Sequence, residues 1–231
     1  MIPDPHFISM KLIESFTKAE KRRVLLSFAG VFGMGFFLSF LVLCDLGTDP
    51  CTFMNRSISS FLGLSFGNWQ LLLNSLMFLI VLLFKRKLIG WGTLFNMVLV
   101  GYYVDFFTWI WGKTLPSYLF TDAPARWLLF LSALLFFMLS AAVYINADTG
   151  VAPYDGIPLI LTDVFTARFP KIPKTAIRIC WDGLAILVGI LFGGVPIVGI
   201  ILMALFLGPL ITLVGKKLTP LLSGASNRRK A

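Results

Sequence analysis

The sequence predicts an all-α polytopic membrane protein of six transmembrane helices, arranged as two inverted three-helix repeats, each with a short amphipathic helix after its first span. Three observations predict it. Hydrophobic residues occupy 58% of the 231 positions and charged ones only 13%, and the mean hydropathy is +0.87, beyond the range of soluble domains. Apolar runs long enough to cross a hydrocarbon core, roughly 17 to 25 residues, recur along the chain. A polar motif, Asp-x-Gly-x-x-Pro, occurs twice, each time directly after such a run.

The elements follow in order. Residues 1–23 form a cytoplasmic N-terminal segment in which Ile8, Leu12, Ile13 and Phe16 share one helical face, so that residues 8–16 either lie as an amphipathic helix on the inner membrane surface or stay unstructured. No short apolar region with a cleavage site stands there, so the expectation is that no leader is removed. The first membrane repeat covers 24–112, with spans at Val24 to Cys44, Trp69 to Phe84 and Leu88 to Trp111. An outer loop at 113–126 leads to the second repeat, 127–215, with spans at Trp127 to Ala147, Ala176 to Gly193 and Val195 to Val214. Gly193-Gly194-Val195-Pro196 separates the last two spans, because fused they would be far too long for one crossing. Residues 216–231 form a basic cytoplasmic tail.

Lysine and arginine set the orientation, since basic residues are retained on the cytoplasmic side of short loops. With the N-terminus inside, Lys18, Lys21, Arg22, Arg23, the Lys85-Arg86-Lys87 run, Arg168, Lys171, Lys174, Arg178 and the C-terminal cluster all fall inside. Only Arg56, Lys113 and Arg126 fall outside. The net charge of +9 is thereby a topology signal, and nucleic acid is not an expected partner. The location predicted is a plasma membrane, with both termini cytoplasmic.

The repeat rests on more than the motif. Asp45, Gly47 and Pro50 match Asp148, Gly150 and Pro153, and the apolar stripe after Pro50 (Cys51, Met54, Ile58, Phe61, Leu62) is reproduced after Pro153 (Tyr154, Ile157, Leu161, Val164, Phe165). Asn74 corresponds to Asp182, and the Gly92 to Gly101 spacing to Gly199 to Gly208. Three crossings per half is an odd number, so the halves enter the membrane from opposite sides.

The polar residues within this frame are the candidate substrate or ion path: Asp45, Gly47, Pro50, Asn74, Asn96, Asp148, Gly150, Pro153 and Asp182. Glycine permits the sharp turn, and proline suits a first helical turn, where its missing N–H has no intrahelical partner. Helix N-termini so formed present unpaired N–H groups and partial positive charge. Asp45 and Asp148 either brace these turns or face the path; Asp182 either pairs with Arg178 one turn away or serves transport. Asn96 either bonds between helices or lines the route. Asp49 and Asp155 are expected to cap the short helices and Asp105 to reach interfacial water. The glycines are expected to be helix contact points and the six tryptophans an interfacial belt.

Enzyme chemistry is not expected. The sole histidine, His6, and both glutamates, Glu14 and Glu20, precede the membrane portion, and no nucleotide loop or nucleophile motif remains. Cys44, Cys51 and Cys180 are too dispersed for a disulfide framework or zinc site and read as small fillers, and no cofactor or metal is expected.

Several of these residues also resemble the bacterial YczE/YyaS/YitT-type integral membrane proteins. The resemblance is carried by Asp-x-Gly-x-x-Pro after a span, Ser65-Phe-Gly67-Asn-Trp69, and Gly90-Trp-Gly92-Thr93-Leu-Phe-Asn96 leading to Gly101 and Asp105, and it covers about Leu26 to Val214. It implies a bacterial membrane location and topology, and no site residues. The second turn departs from the first, with Val151-Ala152 in place of Thr48-Asp49.

The leading expectation is a secondary transporter or permease for a small solute, with the bilayer and that solute as partners. A non-transporting accessory or scaffold protein is the alternative, as is a substrate-capturing subunit of a larger importer. A carrier needs a polar site reached alternately from each side; a scaffold needs a sealed interior and a docking patch.

Overall fold

A computed structural model describes residues 17–223. The N-terminal amphipathic segment and the end of the basic tail lie outside the described residues. Among the described residues every element is helical: α1 (Lys18–Cys44), α2 (Pro50–Leu62), α3 (Phe66–Lys85), a 3-10 turn (Arg86–Leu88), α4 (Trp91–Thr114), the single turn α5 (Tyr118–Thr121), α6 (Ala125–Ala147), α7 (Pro153–Arg168), α8 (Lys174–Leu191) and α9 (Val198–Ser223).

Five of these are long and apolar enough to cross a membrane: Lys18–Cys44, Phe66–Leu88, Trp91–Thr114, Ala125–Ala147 and Val198–Leu218. The fifth expected span is α8, a helix of 18 residues that carries three charges, Lys174, Arg178 and Asp182. Each of the other five holds a stretch of 18 residues with no more than two charges, and α8 is too short to leave its three outside such a stretch.

Helix ends differ from the expected ones because capping, not apolarity, fixes them. Thr17 and Glu20 form a reciprocal capping box, with Glu20 N donating to Thr17 Oγ1 (3.3 Å) and Thr17 N to Glu20 Oε2 (2.7 Å), so α1 starts ahead of its apolar run. Ser65 Oγ accepts from Asn68 N at 3.2 Å and starts α3. Asp105 Oδ2 accepts from Gly67 N at 2.8 Å in the same turn, so this carboxylate serves a helix N-terminus. The α8–α9 break falls at Gly193, with φ +86°, as the sequence indicates. Helix α9 runs on to Ser223, into the expected tail.

Helices α1 and α6 form the central pair; α4 packs on α1 and α9 on α6. Between them lie Val31, Leu38, Leu41, Val100, Val104, Phe130, Phe137, Tyr144 and Met203. Phe36, Phe40 and Phe107 gather on Trp111, whose Nε1 donates to Ser39 Oγ at 3.1 Å. The second layer crosses over: α2 lies on α8 and α3 on α7, with α3 also packed on α4. Gly30 abuts Ser140 and Tyr144, Gly35 abuts Tyr103, Gly101 abuts Gly67, and Gly189 abuts Phe53, so these glycines are close-approach points; Gly208 faces nothing within 4 Å. Leu25, Leu83, Phe84, Leu128, Leu191 and Val195 point outward, as a lipid-facing surface requires.

Candidate functional site

Two turns anchor the second layer to the first. Asp45 and Asp148 both adopt the left-handed conformation, with φ 47° and 53°, and Gly47 and Gly150 follow with φ 103° and 117°. Only glycine takes those last angles without strain. Each turn docks on the other half: Gly199 N donates to Leu46 O at 2.8 Å, and Gly92 N donates to Thr149 O at 2.9 Å. A Cβ on Gly47 would stand 2.8 Å from Gly199 N, and one on Gly150 2.6 Å from Gly90 N.

Arginine holds each turn. Arg126 Nε donates to Cys44 O (2.8 Å) and its Nη2 to Asp45 O (3.2 Å), while Arg23 Nη1 reaches Asp148 Oδ2 (3.3 Å). Arg23 precedes Asp45 by as many residues as Arg126 precedes Asp148, so each half's arginine closes the other half's turn. Arg56 Nη1 pairs with Asp45 Oδ1 at 3.1 Å. The Asp45 and Asp148 side chains are 68% and 87% exposed, placing both carboxylates at the periphery.

Pro50 and Pro153 open α2 and α7, with Asp49 and Ala152 as their N-caps. Asp49 Oδ1 accepts from Thr52 N at 3.0 Å, the expected cap, while its Oδ2 is buried with no donor among the described residues. Burial raises the Asp49 carboxyl above its ordinary value; the Thr52 hydrogen bond opposes the rise and Asp155 adds to it. Asp155 departs from the capping expectation and pairs with Arg178 Nη1 at 2.6 Å. Arg178 Nε also meets Asp182 Oδ2 at 2.8 Å, the expected one-turn pair, and Tyr154 OH donates to Asp182 Oδ1 at 2.8 Å.

These groups form one cluster where α2, α7 and α8 meet. Cys51 lies within electrostatic reach of Asp49, Asp155, Arg178 and Asp182, and Tyr154 within reach of Cys51, Asp182 and Arg178. Two carboxylates, Asp155 and Asp182, face one guanidinium. Tyr154 sits with Met54, Ile58 and Ala185, and Cys51, Trp69, Leu73, Met77 and Trp181 pack around them. Trp69 Nε1 and Trp181 Nε1 are buried and, among the described residues, without acceptors, so these two indole N–H groups face the protein interior. Asn55, 1% exposed, donates through Nδ2 to Cys51 O (2.9 Å) and leaves Oδ1 buried without a donor.

Of the sequence-derived candidates, Asp182 belongs to this cluster, and Pro50 and Pro153 start the helices that border it. Asn74 is buried on α3 within one turn of Leu73 and Met77, on the flank of the cluster. Asn96 is buried on α4, one turn beyond Gly92. Asp45, Gly47, Asp148 and Gly150 build the turns rather than the cluster. Sequence reasoning missed Asp49 Oδ2, Asn55, Tyr154, Trp69 and Trp181 as cluster members. One signal was available: polar Asn55 lies one turn from Cys51 on the otherwise apolar stripe of α2.

Comparison with known proteins agrees with the membrane architecture. The chain is 28% identical over 137 residues to "Uncharacterized membrane protein YczE" of Bacillus subtilis (strain 168), spanning 59% of this chain and 61% of that protein. It is 26% identical over 189 residues to an "Uncharacterized protein" of Haemophilus influenzae, spanning 81% and 80% of the two chains. No solved structure matches. Together with its apolar helices, these relatives make the chain a multi-pass membrane protein. Residues 21–216 match the "Family of unknown function (DUF6198)", and the chain belongs to that family.

Proposed function

We propose that this protein is a secondary transporter for a small solute, built from two inverted repeats of three crossings with both termini cytoplasmic, and that it is not an enzyme. The observation that carries the reading is the reciprocal docking of the turns: Gly199 N on Leu46 O and Gly92 N on Thr149 O, with each half's arginine closing the other's turn. Two units that bind each other through equivalent contacts are related by a pseudo-two-fold, and such units can exchange conformations around a site between them. Helix α8 is the sixth crossing. Arg178 is neutralised inside the fold by Asp155 and Asp182, which offsets the cost of carrying it toward lipid, and Lys174 stands at the helix end, where its side chain reaches the interface.

A difference between the halves supports alternation. Helix α3 packs along α4 with Gly101 against Gly67, whereas α8 and α9 make no comparable contact among the described residues, and Gly208, the counterpart of Gly101, is open. Exchanging the halves would close α8 on α9 and release α3 from α4.

Two measurements test the reading. In a variant lacking Cys44, Cys51 and Cys180, Asp45→Cys is expected to react with an impermeant maleimide on intact cells and Asp148→Cys only after permeabilisation. Reaction of both from one side removes the inverted arrangement. In proteoliposomes, solute counterflow that requires the protein is expected; its absence across cationic, anionic and neutral solute panels favours the accessory role.

A further inference from the structure

We propose that the groove between α7 and α8 binds an anionic phospholipid, with one acyl chain along the groove and the phosphate headgroup at its basic end, near Arg168, Lys171 and Lys174. The proposal rests on the reading of α8 as a crossing and not on transport. The groove has a volume of about 300 Å³ and is lined by Leu161 and Phe165 of α7, Ile172 of the connecting turn, and Ile177, Trp181 and Leu184 of α8. Spacings of four on α7, and of four and seven on α8, put these residues on one face of each helix. No charged side chain lines the groove. Phe165 and Leu184 are exposed, so it opens on the outside of the bundle.

Charge identifies the occupant. The two walls are joined at one end by a hydrogen-bonded turn, Ile172 N donating to Phe169 O at 3.1 Å, with Pro170 and Lys171 at its central positions. Arg168 ends α7 and Lys174 starts α8, so three cations stand at this end of the groove. All three are exposed, and among the described residues none has an ion-pair partner. The neighbouring acids are engaged elsewhere, Asp163 with Lys85, and Asp155 and Asp182 with Arg178. Retention of basic residues on one side of the membrane accounts for the cations alone, but not for an apolar groove that ends at them. Basic positions between helices, with hydrocarbon alongside, suit an anionic headgroup. Size agrees: about 15 Å of helix separates Lys174 from Leu184, close to one leaflet of a hydrocarbon core roughly 30 Å thick. The groove is too small to seat a helix about 10–12 Å across, and a soluble anion would leave its apolar length unused.

The test uses purified full-length protein in neutral detergent micelles, titrated with phosphatidylglycerol or phosphatidylcholine carrying brominated acyl chains, which quench indole fluorescence on contact. The signal of Trp181 is the difference between wild type and Trp181→Phe. Half-quenching is expected at a mole fraction of phosphatidylglycerol roughly tenfold or more below that of phosphatidylcholine, because each Lys or Arg near the headgroups favours the anionic lipid by about fivefold. Combining Arg168→Gln, Lys171→Gln and Lys174→Gln, all at exposed positions, should bring the two lipids within about twofold. Independently, unbrominated phosphatidylglycerol should raise the wild-type melting midpoint more than phosphatidylcholine does. A preference that survives the triple substitution, or an equal thermal shift with inorganic phosphate, overturns the proposal. Equal quenching of Trp181 by both lipids removes the headgroup site and leaves α8 in contact with acyl chains; quenching by neither removes the crossing as well.

Discussion

Arg178 shows how a charged side chain is tolerated in the helix bundle. Its guanidinium is shared by Asp155 at 2.6 Å and Asp182 at 2.8 Å and lies 5.7 Å from the Tyr154 ring centre. Side-chain exposures of 44%, 33% and 25% make this a half-buried network, worth less than a sealed one and more than a surface pair. Arg178→Ala leaves two carboxylates facing each other beside Asp49, and the expected cost is about 1–2 kcal/mol, read as a lower detergent-solubilised melting midpoint. Arg178→Ala with Asp182→Asn should recover part of the loss at neutral pH; a double variant as weak as the sum of the singles would mean that the pair does not interact.

Among the elements, the two turns carry the most constraint. At Gly47 a substitution meets both a positive φ of 103° and the Gly199 backbone at 2.8 Å, and backbone cannot step aside as a side chain can. Gly47→Ala is therefore expected to abolish a monodisperse peak in size-exclusion chromatography. Gly112→Ala, near the end of α4 with nothing within 4 Å, should be neutral or stabilising by up to about 1 kcal/mol. Equal behaviour of the two variants would remove the turn contact as a folding constraint. These turns were legible because Asp, Gly and Pro have local backbone roles and recur in register. The helix ends were less so: apolar runs mark where lipid contact is favourable, whereas Thr17, Ser65 and Asp105 set the ends through hydrogen bonds. The cluster was the least legible part. Asp155 looks like a first-turn acidic residue, and only the crossing of α7 with α8 turns it toward Arg178. Asp49 was legible as a cap through Oδ1; that its second oxygen is buried without a donor depends on tertiary packing that local pattern does not encode.

For the whole molecule, the consequential feature is that the helices matched by the proposed repeat are not equivalently packed. A Cβ on Gly101 would lie 2.8 Å from Gly67 Cα, so α3 and α4 are in close contact there; at the corresponding Gly208 of α9 nothing among the described residues lies within 4 Å. If the halves exchange conformations, the residue of α8 that corresponds to Gly67 is Thr175, and it should approach Gly208 in the alternate state as Gly67 approaches Gly101 in this one. A carrier must visit both states, so Thr175→Cys with Gly208→Cys, in a background without Cys44, Cys51 and Cys180, should be joined by a short bifunctional maleimide. The cross-linked protein should lose counterflow and the untreated or singly substituted proteins should keep it. The yield should also depend on the solute, because a ligand that binds one state better than the other shifts the population in proportion to that difference. An accessory protein with one resting conformation gives a different result: the two positions stay apart, the yield is at the level of random collision, and added solute leaves it unchanged.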